Sequence, residues 1–245
     1  MKYVGGKHLV GKYISDYLYA NVSPNEVDGY LEPFCGSLGV FKYMTNYDYN
    51  YFIGSDLQPD LIELWSNLQK NKLELPESTS EELWYELKDT PSPNALKAVL
   101  GFGMSFGGDY FAGYSQKYAS TSGRDYYQEF KNSLHKIKPN IQKSNVNFLN
   151  KSYLDLSPKN MLIYCDPPYE FTKGYSTGDF NHETFWNTMR KWSENNQVFI
   201  SSEISPPDFI SVWSKSKNRT MSSKLRTFKT EHLFTLNKIE LKNNH

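Results

Sequence analysis

"LIYCDPPYEF", residues 162–171, decides the fold. The apolar run from Met161 to Cys165 has the length and the β-branched and aromatic content of a buried strand. Pro167 cannot donate to a ladder, so the strand stops at Asp166. In open α/β sheets, ligands bind beyond the carboxyl ends of the strands. The stretch therefore sets a carboxylate, a rigid Pro167-Pro168 turn and the aromatic Tyr169 at the mouth of a site. The bland alternative is a capped strand end followed by a stiff turn.

Outward from this strand the chain alternates. "GYLEPFC" (residues 29–35) reads as a strand running into the turn "GSLG", and "YFIGSD" (51–56) as a second strand followed by the helical spacing of Leu57, Leu61, Leu64 and Trp65. Further on come "VNFLN" (146–150), "MLIYC" (161–165), a helix around residues 183–194 and "QVFISS" (197–202). Such alternation predicts an α/β chain with a mostly parallel sheet and helices on both faces. "RTFKTEHLFTL" (226–236) holds two extended runs and predicts a terminal antiparallel hairpin.

The middle, residues 69–145, reads differently. It opens acidic and helical, passes through "GFGMSFGGDYFAGYSQKYASTSGRDYY" (101–127) and closes on a helix around residues 126–137. Glycines among aromatics and serines predict a flexible, exposed loop system, and a loop of this length in a compact domain usually serves binding. The expected division is a catalytic portion from residues 1–68 and 146–245 around an inserted recognition subdomain from 69–145.

Composition bounds the chemistry. The 16% aromatic content is too high for a disordered chain, and the 245 residues suffice for a substantial core. The first residues are interrupted by Lys2, Lys7, Lys12 and Asp16, and no apolar run is long enough to span a bilayer. A protein of the cytoplasm, in a prokaryotic or phage- or virus-infected cell, is expected. Two cysteines make neither a disulfide framework nor a metal cluster, so a metal-free site is the default. Net charge is zero, but acid-free basic stretches occur at residues 131–151 and 215–229. They suit a polyanion, and equally a solvated face.

Two further features join the Asp166 turn at the strand ends. A glycine turn after the first strand lets backbone approach a nucleotide, and an acid ending the second can bind ribose hydroxyls. Gly36 and Gly39 supply the turn and Asp56 the acid, although Asp56 can also act as a helix N-cap.

Together, "KYVGGK", "EPFCGSLGVF", "SDLQPDLIELW", "IYCDPPY" and the terminal "TEHLFTL" make the chain resemble the Dam-type (D12 class) DNA adenine-N6 methyltransferases, including their phage-borne relatives. The resemblance spans nearly the whole chain in the family's order. It implies a Rossmann-like fold and S-adenosylmethionine as cofactor, with Tyr3, Lys7, Phe34, Gly36, Asp56 and Asp166 around it and Asp155 as a further candidate for its adenine. It also implies double-stranded DNA as partner, acted on by a monomer or a weak dimer on DNA, with base flipping. Asp166, Pro167, Pro168 and Tyr169 would act on the target adenine. Leu38 departs from the glycine or alanine of many members, and "SFGGDYFAGY" departs from the Arg-Asn-rich pattern of better-known ones, leaving the target sequence unassigned. For DNA, charge and motif position nominate Arg124, Lys224 and Arg226. The alternatives are methylation of cytosine N4, RNA or protein glutamine, and a catalytically silent DNA-binding protein on the same fold.

Overall fold

The computed structural model describes residues 3–115, 123–143, 145–169, 180–222 and 225–237, with backbone alone for 217–222 and 225–229. Seven strands form one sheet: β1 (Gly29–Glu32), β2 (Phe52–Ser55), β3 (Val146–Leu149), β4 (Met161–Cys165), β5 (Gln197–Ser202), β6 (Phe209–Ser222) and β7 (Leu225–Leu236). Their order is β3-β2-β1-β4-β5-β7-β6. The first five are parallel, and β7 runs antiparallel to both β5 and β6. The chain therefore reverses its winding between β1 and β4, and the crevice for a ligand lies beyond the carboxyl ends of those two strands.

The central strands are buried on both faces, as parallel strands under helices must be. Alternation assigns the sides. Tyr30, Leu162 and Tyr164 face a core built with the helices α1 (Gly11–Asn21), α2 (Phe41–Met44), α3 (Pro59–Gln69), α4 (Glu81–Asp89), α5 (Ala95–Gly103) and α6 (Tyr126–Ile141). Leu31, Met161, Ile163 and Cys165 face the opposite core, where α7 (His182–Ser193) packs Phe185, Met189 and Trp192. Among the described residues no helix is long and apolar enough to cross a membrane.

Three expectations need correction. The strand expected over residues 29–35 ends at Glu32, because Pro33 leaves the ladder and the glycine turn begins there. "RTFKTEHLFTL" is one strand of the terminal hairpin rather than both, its partner being "FISVWSKSKNRTMS". The stretch read as loose glycine-rich loop begins inside α5, whose residues 97–103 are all buried. There glycine serves close packing. A Cβ on Gly101 would stand 2.5 Å from the rings of Phe111 and Tyr110, and one on Gly103 would stand 2.5 Å from Phe130. Trp84, Phe102, Phe111 and Phe130 join the same core as Tyr30 and Leu162, so the middle segment is built onto the sheet's own core. Helix α1, absent from the sequence reading, lies so close to the glycine turn that a Cβ on Gly11 would meet the Gly39 carbonyl oxygen at 2.0 Å. This contact sets the N-terminal segment, and Lys7 with it, against the site.

Candidate active site

Beyond β1, β2 and β4 a cleft of about 1180 Å³, its open mouth included, is lined by Tyr3, Lys7, Phe34, Gly36, Asp56 and Asp166. All six were expected from the sequence.

The glycine turn is held from two sides. Asp56 accepts the Gly36 N–H at 2.8 Å and the Gln58 N–H at 3.0 Å, and the Trp65 indole donates to the Gly36 carbonyl at 2.9 Å. Helix α3 itself is capped by the Gln58 side chain, which accepts the Asp60 N–H. Asp56 is thus no helix cap but the clasp between two turns. Burial pushes its carboxyl up, while the N–H groups of Gln58 and Gly36 pull it back toward the ionised form. Gly36 takes a φ of +41°, and a Cβ there would stand 3.1 Å from the Tyr3 ring. Leu38 adopts a φ of 57° although fully buried. A left-handed leucine costs on the order of 1–2 kcal/mol, and packing of its side chain in the core offsets that strain.

At the end of β4, Asp166 continues the side to which Leu162 and Tyr164 point, and there it meets Lys7. The Lys7 ammonium donates to Asp166 Oδ1 at 2.6 Å, stands 3.5 Å from Glu231 Oε1 and lies 4.8 Å from the centre of the Tyr169 ring. The Tyr169 hydroxyl donates to Glu231. Burial, with Asp166 and Glu231 nearby, drives the Tyr169 phenol far up, so it remains a neutral donor. Sequence reasoning missed Glu231, which is only 5% exposed. The signal was an acid at an inward-facing position of β7, on the side of the buried Leu233.

Glu32 was missed likewise. It lines the cleft, is 2% exposed and accepts the Tyr30 hydroxyl at 2.9 Å. Burial, then the nearby charges of Asp166 and Asp56, raise its carboxyl well above the usual 4.5, against the pull of Tyr30 and Lys7. The folded state therefore holds a proton that the unfolded state releases above about pH 4.5. Glu32 costs more stability as pH climbs from there toward its folded pKa. Glu32→Gln is expected to melt a few degrees above the parent at pH 7, at about 2–4 °C per kcal/mol, with the gap closing toward pH 4. Melting curves across that range check it, and a pH-independent gap would refute a protonated Glu32.

The remaining candidates fall elsewhere. Asp155 is exposed on the turn Tyr153–Asp155, and Tyr153 of that turn lines the cleft instead. Arg124 lies outside the cleft at the start of α6, its guanidinium forked onto Glu129 with both N–H···O distances at 2.7 Å. Lys224 lies outside the described residues, and Arg226 is described by its backbone alone. Lys143 donates to the Thr45 carbonyl at 2.7 Å, and Lys131 lies over the Tyr127 ring at 4.6 Å. Cys35 and Cys165 are both buried, and burial pushes their thiols well up, which makes neither a thiolate nucleophile.

The family model of D12 class N6 adenine-specific DNA methyltransferases matches residues 3–97, the part that carries Lys7, the glycine turn and Asp56. The type II methyltransferase M.FokI of Planomicrobium okeanokoites is a homologue, 25% identical over 219 residues, covering 78% of this chain and 32% of that protein. The chain thus spans about a third of the length of the curated relative it matches. Solved structures with some likeness include the putative methyltransferase yhhF from Escherichia coli, at a TM-score of 0.38 and 10% identity over 94% of this chain and 88% of that one. Another is the magnesium protoporphyrin IX methyltransferase ChlM from Synechocystis PCC 6803 with bound SAM, at 0.39 and 9% over 95% and 80%.

Proposed function

We propose that this chain is the catalytic unit of a D12 class enzyme that transfers a methyl group from S-adenosylmethionine to N6 of adenine in double-stranded DNA. The observation that carries the reading is the 2.6 Å pair between Lys7 of "GGK" and Asp166 of "DPPY", at the mouth of the cleft that also holds Asp56. Residues 159 apart in sequence meet where a nucleoside-bearing cofactor and an extruded base would meet.

The cleft's donor set fits the cofactor. Asp56 can accept ribose hydroxyls, the Gly36 turn admits close backbone approach, Phe34 and Tyr3 offer apolar walls, and Lys7 can meet a carboxylate. When bound, S-adenosylmethionine supplies an activated methyl group on a sulfonium. Adenine N6 is a poor nucleophile because its lone pair is delocalised into the ring. Asp166 and the Pro167 carbonyl can each accept one N6 hydrogen, drawing the nitrogen toward tetrahedral geometry and aiming the lone pair at the methyl carbon. Pro168 stiffens the carbonyl's position, and the Tyr169 ring stacks on the base, which must leave the duplex because N6 is paired there.

Mass spectrometry of nucleosides, after incubating DNA with the protein and labelled cofactor, tests the reading. Labelled N6-methyladenine is expected. Labelled N4-methylcytosine, or no labelled nucleoside, would overturn it. Asp56→Ala should weaken S-adenosylhomocysteine binding about 10–100-fold in calorimetry, the scale of hydrogen bonds to a charged group. Unchanged affinity would remove Asp56 from the cofactor's site.

Recognition belongs in this reading to residues 69–145, with Arg124 the candidate reader and the basic stretches 131–151 and 215–229, including Lys224 and Arg226, on phosphates. The Arg124 fork on Glu129 is exposed and therefore weak, so guanine or phosphate can replace Glu129 at little cost. Methylation maps should show an altered target after Arg124→Ala, and an unchanged motif at unchanged efficiency would exclude it. A monomer acting in the cytoplasm, where DNA and cofactor coexist, completes the proposal.

A further inference from the structure

We propose that Glu231, from the C-terminal hairpin, is a positioning residue for methyl transfer, holding both the Tyr169 ring and the Lys7 ammonium in place beside Asp166. The inference rests on the function proposed above. One strand, β5, separates β7 from β4, and the pairing Ser201↔Leu233 fixes the register that brings Glu231 to the carboxyl end of β4. On β7, Glu231 and Leu233 point to the same side, and Leu233 is fully buried. An acid at such a position is costly unless its contacts compensate it.

Lys7 and Asp166 form a 2.6 Å pair, and the Glu231 carboxylate stands 3.5 Å from the same ammonium. What Glu231 adds is geometry. It accepts the Tyr169 hydroxyl, so the ring proposed to stack on the base is held at its far end, and the Lys7 ammonium lies against that same ring at 4.8 Å. One carboxylate therefore locks the two groups flanking the N6 acceptor. A base held at the wrong angle to the methyl group loses rate steeply even where binding survives.

The test compares the parent, Glu231→Gln, Tyr169→Phe and the double variant. Both substitutions keep size and shape, and Tyr169→Phe keeps the stacking ring. In single-turnover methylation at saturating cofactor, each single variant is expected to lose about 10-fold or more, with melting temperature little changed and with S-adenosylhomocysteine affinity in Tyr169→Phe within about threefold of the parent. The double variant should be no slower than the worse single one, because both changes break the same contact. Full rate in Glu231→Gln would overturn the inference. So would multiplying losses in the double variant, or a loss in Tyr169→Phe matched by weakened cofactor binding. The parent separates the two readings. Absence of any methylated nucleoside with the parent protein defeats the proposed function and this role with it, whereas an active parent with insensitive variants defeats this role alone.

Discussion

Asp166→Ala is expected to lose at least about 10²–10³-fold in the single-turnover rate of methylation, the scale seen when one preorganised partner of a reacting group is removed, while the protein stays folded. The fold should survive because the Lys7 ammonium retains Glu231, 3.5 Å away, as a counterion, and because Asp166 follows the strand rather than packing within it. The rate should fall because the acceptor for one N6 hydrogen is gone and the lone pair returns to the ring. Calorimetry with S-adenosylhomocysteine separates this from a cofactor effect. Asp166→Asn sharpens the result, since it keeps a carbonyl oxygen and removes the charge. Asn is expected between Ala and the parent. Parental rate in the Ala variant would defeat the assignment of Asp166 to the target base.

How much of this was legible without coordinates depended on what each residue type was read for. The strand over residues 161–165 and the acid after it were legible because proline ends a ladder wherever it falls. The place of the cleft was legible because a glycine turn and an acid 20 residues apart are tied together, as the Gly36 N–H and Asp56 show. The middle segment was misread where glycine was taken for flexibility. Gly101 and Gly103 lie in a buried helix, and their missing side chains make room for Tyr110, Phe111 and Phe130. Residues 95–100 of that helix are mostly good helix formers, and tertiary packing pays the conformational cost of carrying it on through Gly101 and Gly103.

Glu32 and Glu231 escaped for the opposite reason. Each lies in a recognisable strand, but acids in a sequence are read as surface, and only the side-to-side alternation shows that these two point inward. Tyr30 and Glu32 share one side of β1, and their hydrogen bond at 2.9 Å is the consequence. The Lys7 contacts were out of reach altogether, since nothing local to "KYVGGK" says that α1 will bring it to β4.

Lys7→Met should be the most destabilising single change at the site. Lys7 and Glu231 are each 5% exposed and Asp166 is 18% exposed, so the ammonium is largely shielded from water along with the two carboxylates that face it. Removing one partner of a buried ion pair typically costs about 3–5 kcal/mol, because the charge left behind has no compensation. Here two carboxylates would face each other, with Glu32 close enough to feel Asp166. The loss should depend on pH with a definite sign. Without the lysine the two carboxyl groups ionise less readily when folded, so the folded variant takes up protons that the unfolded chain has already released. Its deficit against the parent should therefore be largest near pH 8 and shrink as pH falls toward 5. Denaturant melts at both values measure it. Lys7→Met combined with Glu231→Gln should recover part of the loss at pH 8, since one of the stranded charges has gone. An equal deficit at pH 5 and pH 8, with no recovery in the double variant, would mean that Lys7 stabilises the fold through its packing against Tyr169 and the glycine turn, and not through its charge.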